Sequence, residues 1–292
     1  MDFEEEFQQT TPLGFMNTRT LSESARSTRK DEIMNIQDVP IEIIEQIGKV
    51  QKITFPRQGH TSIVAILDTS NKKYIIKKTE NDLYNEWLSE EYKVLQYLYH
   101  TGLPVPKAYS YHVKNKSRWV LMDYIEGISL REFLSREPDL KDKEKAISNF
   151  GLCLKKLHEC PCPIELQKHD TLWIDTILSK AEYNLTHYEV DGSEELLKRL
   201  KEVRPNPIDN TLIHGDYTID NVLVNECNVV GVIDWSGAAY GDPRYDVALA
   251  IRPKHNAFDN ERDKEIFFNA YGKLRITDEE YHYFEDGIYN FF

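Results

Sequence analysis

"LIHGDYTIDNVLV" runs from Leu212 to Val224, and between two short apolar runs it places His214, Asp216, Asp220 and Asn221 within eight positions. Eighteen positions beyond Asp216, Asp234 closes a second apolar run, "VVGVI". An Asn amide and carboxylates at strand ends are hard oxygen donors of the kind that Mg²⁺ takes. A further carboxylate held beside them can accept a proton from an attacking hydroxyl. Phosphoryl transfer from ATP needs those parts: a base, and a metal held by an Asn and an Asp. His214 and Gly215 would shape the loop. The plainer alternative is a hairpin with polar turn residues, since Asp, Asn and Gly are turn formers. That alternative leaves Asp234 unexplained, because it closes a separate apolar run at this spacing.

Working outward, the N-terminal half reads as sheet. After a short amphipathic helix in "DVPIEIIEQI", the segments "QKITFP", "SIVAILD", "KKYIIKK", "AYSYHV" and "SRWVLMDY" are rich in β-branched and aromatic residues and read as strands. "DTSNKK" supplies a hairpin turn. A helix is expected from about Asn81 to His100, with Trp87, Leu88, Leu95 and Leu98 on its apolar face. Glu91 stands on that stripe, four after Trp87 and four before Leu95, and a charge there is costly unless paired. The alternative places Glu91 at the rim of the stripe. Beyond Gly127 the pattern turns helical, with Ile147, Phe150, Leu154 and Leu157 on one face, then "DTLWIDTILSKAEYNL", "SEELLKRLKEV" and a helical end from Tyr245. The expected fold is α+β and bilobal. Residues 1–38 form a poorly ordered arm, 39–124 a small antiparallel lobe with one helix, and 125–292 a larger helical lobe. A cleft between two lobes is a common place for a ligand.

"HGDYTIDNVLV" followed by "GVIDWSGAAYGDPRYDVALAIR" resembles the signature of the aminoglycoside phosphotransferase and choline kinase-like family, small-molecule relatives of protein kinases. The resemblance covers about Ile53 to Phe292 and implies a kinase-like fold that uses ATP and Mg²⁺. It implies Asp216 as catalytic base, Asn221 and Asp234 as magnesium ligands, and Asp246 as a structural acid. "YIIKK" resembles the strand whose Lys reaches the nucleotide phosphates. Lys77 and Lys78 compete for that role, since alternation lets only one face the cleft; the family pattern favours Lys77, with Glu91 as its ion-pair partner. "GHTSIV", with Gly59 and Ser62, would cover the phosphates, with one Gly where protein kinases have three. "LMDYIEG" resembles the hinge, where backbone groups of Asp123 and Ile125 would meet adenine.

"LKKLHECPCP" and the aromatic end "YNFF" resemble the aminoglycoside 3′-phosphotransferase branch. In that branch a terminal carboxylate, here on Phe292, helps to hold a cationic substrate, together with an acid two residues earlier. Here the earlier position is Asn290, and Ala238 stands where that branch has Arg. The acidic loop "YEVDGSEELL", with Asp191 and Glu194, is a further candidate for drawing in a cation. A small metabolite such as choline, a sugar or an amino-acid alcohol is the alternative acceptor, and a nucleotide-binding regulator without turnover the other. A peptide acceptor is disfavoured, because Asp246 follows only twelve positions after Asp234 and leaves no room for a long docking segment.

Bulk properties agree. The 292 residues carry a net charge of −13, which argues against nucleic acid or an anionic membrane surface as partner. "MDFEEEF" opens with acids where a secretory leader has bases, and no run approaches a membrane helix. Four Cys give no disulfide framework, and the alternation in "HECPC" reads as a helix end with a Pro turn. A reduced, cytoplasmic protein is expected.

Overall fold

The computed structural model describes residues 34–56, 61–167, 172–272 and 274–292. The chain divides into two compact units, 1–39 and 40–292. Within the first, Ile36–Asp38 form a 3₁₀ turn that Asn35 caps by accepting from the Gln37 N–H at 3.1 Å.

The second unit opens with helix α1 (Ile41–Ile47). Strands β1 (Val50–Thr54), β2 (Ile63–Thr69), β3 (Lys73–Thr79), β4 (Ala108–Lys114) and β5 (Ser117–Asp123) form one antiparallel sheet in the order β1-β2-β3-β5-β4. The predicted hairpin joins β2 to β3, where the Thr69 hydroxyl donates to Lys72 O at 2.8 Å. Helix α2 (Asp82–Leu98) starts where Asn81 accepts from the Leu83 N–H at 3.0 Å. Its inner face buries Leu88, Val94, Leu95 and Leu98, each apolar side chain contributing roughly 1.5–3 kcal/mol. Trp87, expected on that face, is only half-buried and tilts against Tyr84, with ring centroids 5.6 Å apart. Asn85 takes the buried position instead. Its amide is satisfied by the Thr79 hydroxyl at 2.7 Å and by Lys116 O at 3.2 Å, which makes a polar residue tolerable there.

The remainder is mainly helical: α3 (Leu130–Ser135), α4 (Leu140–Glu159), α5 (Trp173–His187), α6 (Glu194–Glu202), α7 (Pro243–Ala250), α8 (Glu261–Tyr271) and α9 (Asp278–Phe284). Among the described residues, short strands complete it: β6 (Ile128–Ser129), β7 (Thr211–Ile213), β8 (Val222–Asn225), β9 (Asn228–Val232) and β10 (Ala239–Gly241). The core around α4 stacks Phe150 on Tyr217 at 4.7 Å and gathers Phe258, Phe267 and Tyr271. The architecture is α+β in two lobes, as the sequence pattern predicts.

The two runs flanking the opening motif do not pair with each other. β7 pairs with β10, while β8 lies between β6 and β9. The hairpin alternative is therefore excluded: residues 214–221 bridge two separate sheets. The apolar run before Asp234 leaves the sheet earlier than expected, at Val232. Asp234 itself takes a left-handed conformation, φ 65° and ψ 58°.

Candidate active site

Asp246, on α7 and fully buried, organises the loop after β7. Its Oδ2 accepts the His214 N–H at 2.6 Å and its Oδ1 the Gly215 N–H at 2.8 Å. His158 and Tyr271 extend this network, with Nδ1 of His158 2.7 Å from the Tyr271 hydroxyl. Fully buried His214 lies 2.9 Å from Ile233 O through Nε2, while Nδ1 accepts the Asp216 N–H at 3.1 Å. These partners fix the neutral tautomer with the proton on Nε2. Burial lowers the imidazole below its ordinary value and outweighs the Asp246 charge, in keeping with that neutral form.

Asp216 emerges from this loop with its carboxylate held on both oxygens. Asn221 donates from Nδ2 to Asp216 Oδ2 at 2.7 Å and to Asp216 O at 2.9 Å. The Tyr289 hydroxyl donates to Oδ1 at 3.1 Å. Asn221 O in turn accepts the Ile233 N–H at 2.9 Å, which ties the loop to the segment carrying Asp234.

The sheet lobe contributes Lys77. On β3 its Nζ lies 2.7 and 2.9 Å from the two Glu91 oxygens and also contacts Asp234. Lys78 points to the opposite face, 2.6 Å from Glu80 and over the Trp119 ring. Glu91 is buried on the inner face of α2, not at its rim. The Trp235 backbone N–H also faces it, joining α2 to the turn Trp235–Gly237 that follows Asp234. Burial alone would lower the Lys77 ammonium, but Asp234 and Glu91 together push it up. Burial pushes the Glu91 carboxyl above its ordinary value against the pull of Lys77. Desolvation would likewise raise Asp234, yet Lys77 holds it below the usual carboxylate value. The Asp234 side chain remains about half-exposed, at 48 %. Lys77, Glu91 and Asp234 thus meet at one place, and the Ile233 N–H on Asn221 O links them to the Asp216–Asn221 pair.

Of the remaining sequence-predicted residues, Ser62 is half-buried just before β2. Gly59 lies outside the described residues. Asp123 ends β5, its backbone N–H donating to Lys107 O at 2.9 Å and its carboxylate 2.9 Å from Lys72. Ile125 is half-buried and sits against Gly231. Asp191 and Glu194 are exposed, and Gly192 between them donates to Asn290 O at 2.8 Å. That bond stitches the acidic loop to the C-terminal 3₁₀ turn Ile288–Phe291, where the Phe292 N–H reaches Tyr289 O at 3.2 Å. Tyr289 was not singled out by sequence reasoning; the aromatic run "YNFF" was its only trace. In place of an acid, Asn290 donates its amide to Asp286 O at 2.7 Å.

Among the described residues no helix is long and apolar enough to cross a membrane. A sequence model of the phosphotransferase enzyme family matches residues 52–283. The chain is 25% identical over 225 residues to an aminoglycoside 3′-phosphotransferase of Streptomyces fradiae, covering 70% of this chain and 80% of that one. It is 29% identical over 148 residues to a homoserine kinase of Neisseria meningitidis serogroup B, 46% of each. In structure it is similar to an aminoglycoside 3′-phosphotransferase of type VIII, with TM-score 0.69 at 18% identity over 86% of this chain and 97% of the other. That likeness gives the fold as protein-kinase-like.

Proposed function

Because this chain belongs to the phosphotransferase enzyme family, we propose that it transfers the γ-phosphoryl group of ATP, with Mg²⁺, to a hydroxyl of a small cationic acceptor of the aminoglycoside kind. The observations that carry this reading are Asp234 meeting the Lys77–Glu91 pair and Asn221 holding the Asp216 carboxylate, the two linked by the Ile233 N–H on Asn221 O. Asp216 orients the acceptor hydroxyl and takes its proton; a base within hydrogen-bond reach is commonly worth about 10²–10⁴-fold. Lys77, braced by Glu91, holds the nucleotide phosphates. Ser62 belongs to the segment over them, and backbone groups of Asp123 and Ile125 hold adenine. Nucleotide binding falls to residues 39–124 and acceptor binding to 125–292.

The donor set fits Mg²⁺. Asn221 turns its Nδ2 toward Asp216, which leaves its amide oxygen for a cation, and Lys77 meets Oδ1 of Asp234, which leaves Oδ2. Both are hard oxygen donors. When bound, the metal neutralises charge between the phosphates. Asp191 and Glu194, tied through Gly192 to the turn that carries Tyr289, support a cationic acceptor near Asp216. ATP as donor supports a cytoplasmic location.

A second reading, a kinase of a small metabolite hydroxyl, is favoured by Asn290 and Ala238 standing where the 3′-phosphotransferase branch has an acid and Arg. An ADP-release screen across kanamycin, choline, homoserine and neutral sugars tests both. Turnover with kanamycin, with a KM that rises with ionic strength, supports the first, because attraction at exposed carboxylates is screened over about 8 Å at physiological salt. Turnover confined to homoserine, choline or a sugar supports the second. ATP binding with no turnover on any of them overturns both in favour of a non-catalytic regulator.

A further inference from the structure

The loop after β7 and the Lys77–Glu91 pair leave one contact unexplained: the Tyr289 hydroxyl on Asp216 Oδ1, at 3.1 Å. The two residues lie 73 positions apart, so the tertiary fold alone brings them together. Tyr289 is not a loose side chain. Its turn is nailed down by fully buried Ile288 and Phe291. Gly192 donates to Asn290 O at 2.8 Å, and the Asn184 amide donates to Phe291 O at 2.8 Å. A Cβ at Gly192 would meet the Phe291 ring at 2.4 Å, so the two segments are in close contact. The Arg252 guanidinium lies over the Tyr289 ring, 4.5 Å from its centroid, and is itself ion-paired to Glu285. The ring is thus fixed from below by the turn and from one face by Arg252.

From this we infer that Tyr289 is a positioning residue for the base: its hydroxyl, held by the C-terminal turn and by Arg252, sets the orientation of the Asp216 carboxylate toward the acceptor hydroxyl. Asn221 fixes one oxygen and Tyr289 the other, so the carboxylate cannot rotate about its terminal torsion, which is otherwise broad. The acceptor hydroxyl approaches the carboxylate so oriented. The inference rests on Asp216 acting as base. It adds that acceptor-side geometry is delivered by the last turn of the chain and by α7's exit at Arg252.

The test is ADP release from Mg–ATP with water as the acceptor, run on the full chain with thermal unfolding and the KM for ATP. Tyr289→Phe removes one hydroxyl and keeps the ring. A catalytic group misplaced by about 1 Å commonly loses about a hundredfold in rate, so kcat should fall by roughly ten- to a hundredfold while the KM for ATP stays put and Tm falls by at most a few degrees. Arg252→Met should lower kcat as well, and the double variant should be no slower than Tyr289→Phe alone, since both act through one contact. Turnover at or above the wild-type rate in Tyr289→Phe overturns the inference, a rise meaning that the hydroxyl only keeps water from the base. Parallel loss of kcat, KM and Tm also overturns it, because a structural role moves all three. Asp216→Asn, run alongside, separates the two levels. If Asp216→Asn is slow and Tyr289→Phe is not, only the positioning role falls. If Asp216→Asn keeps the wild-type rate, the base assignment falls and Tyr289 with it.

Discussion

Gly215→Ala should disable the enzyme while leaving it folded. Gly215 sits at φ +82°, and a Cβ there would stand 2.2 Å from Gly237 O and 2.6 Å from Gly237 C. Both are backbone atoms, so no flexible tip can yield. Restoring ordinary contact requires the loop and the Trp235–Gly237 turn to part by about 1 Å. The loop cannot retreat, because the His214 and Gly215 N–H groups are anchored on Asp246 at 2.6 and 2.8 Å. The turn that must move is the one leaving Asp234, so Asp216 and Asp234 separate. A misplacement of about 1 Å commonly costs about 10²-fold in rate, and the left-handed backbone adds roughly 1–2 kcal/mol of instability for a residue with a Cβ. Gly102→Ala isolates the second effect, since Gly102 has φ +79° with nothing within 4 Å of the added carbon. The measurement is steady-state ADP release together with thermal unfolding of both variants. A larger loss of Tm in Gly215→Ala than in Gly102→Ala, with turnover lost only in Gly215→Ala, is the expected result. Turnover of Gly215→Ala within about threefold of Gly102→Ala would refute the link between the Gly215–Gly237 contact and catalysis.

Asp216→Asn keeps the shape and removes the base, so kcat should drop about 10²–10⁴-fold with ATP affinity little changed; a variant within a few-fold of wild type would remove Asp216 from the mechanism. Asp234→Ala should shrink the ATP-induced rise in Tm at limiting Mg²⁺, because a hard ligand is lost, and an unchanged rise would exclude it as a ligand. Lys77→Ala should abolish most turnover while Lys78→Ala, which loses only Glu80 and the Trp119 face, should not; the reverse outcome would reassign the phosphate-binding lysine. His214 is held neutral below its ordinary 6.5 by burial, so its contribution to stability is complete above about pH 6.5 and is lost as pH falls through the folded value. Tm should therefore decline below about pH 6.5 more steeply in wild type than in His214→Gln, and parallel profiles would show that His214 is not responsible.

Short-range pattern carried most of the architecture. Runs rich in β-branched and aromatic residues marked all five strands of the N-terminal sheet, because such side chains pack well on a pleated, half-buried surface. The 3.6-residue stripe marked α2 and α4, and flagged Glu91 as a charge needing a partner. Trp87 misled, because a stripe read from hydrophobicity cannot foresee that Asn85 would be satisfied by Thr79 and Lys116 across the sheet. Likewise, apolar flanks alone could not tell a hairpin at 214–221 from a bridge between sheets. That depended on β10, which arrives 26 positions after β7 and takes the pairing edge of that strand.

The site divides in the same way. Residue type and spacing sufficed to pick out Asp216, Asn221 and Asp234, because their chemistry is intrinsic to the side chains and their order along the chain is local. Only the tertiary structure decided that Asp234 turns left-handed to meet Lys77, that Lys77 and not Lys78 faces Glu91, and that Asp246 anchors the loop from a later helix. It alone brought Tyr289 onto Asp216 across 73 positions. Periodicity and motif spacing report what a residue does to its near neighbours, whereas these contacts arise when two lobes and a chain end are packed together, and nothing in the local pattern encodes which distant group will be there.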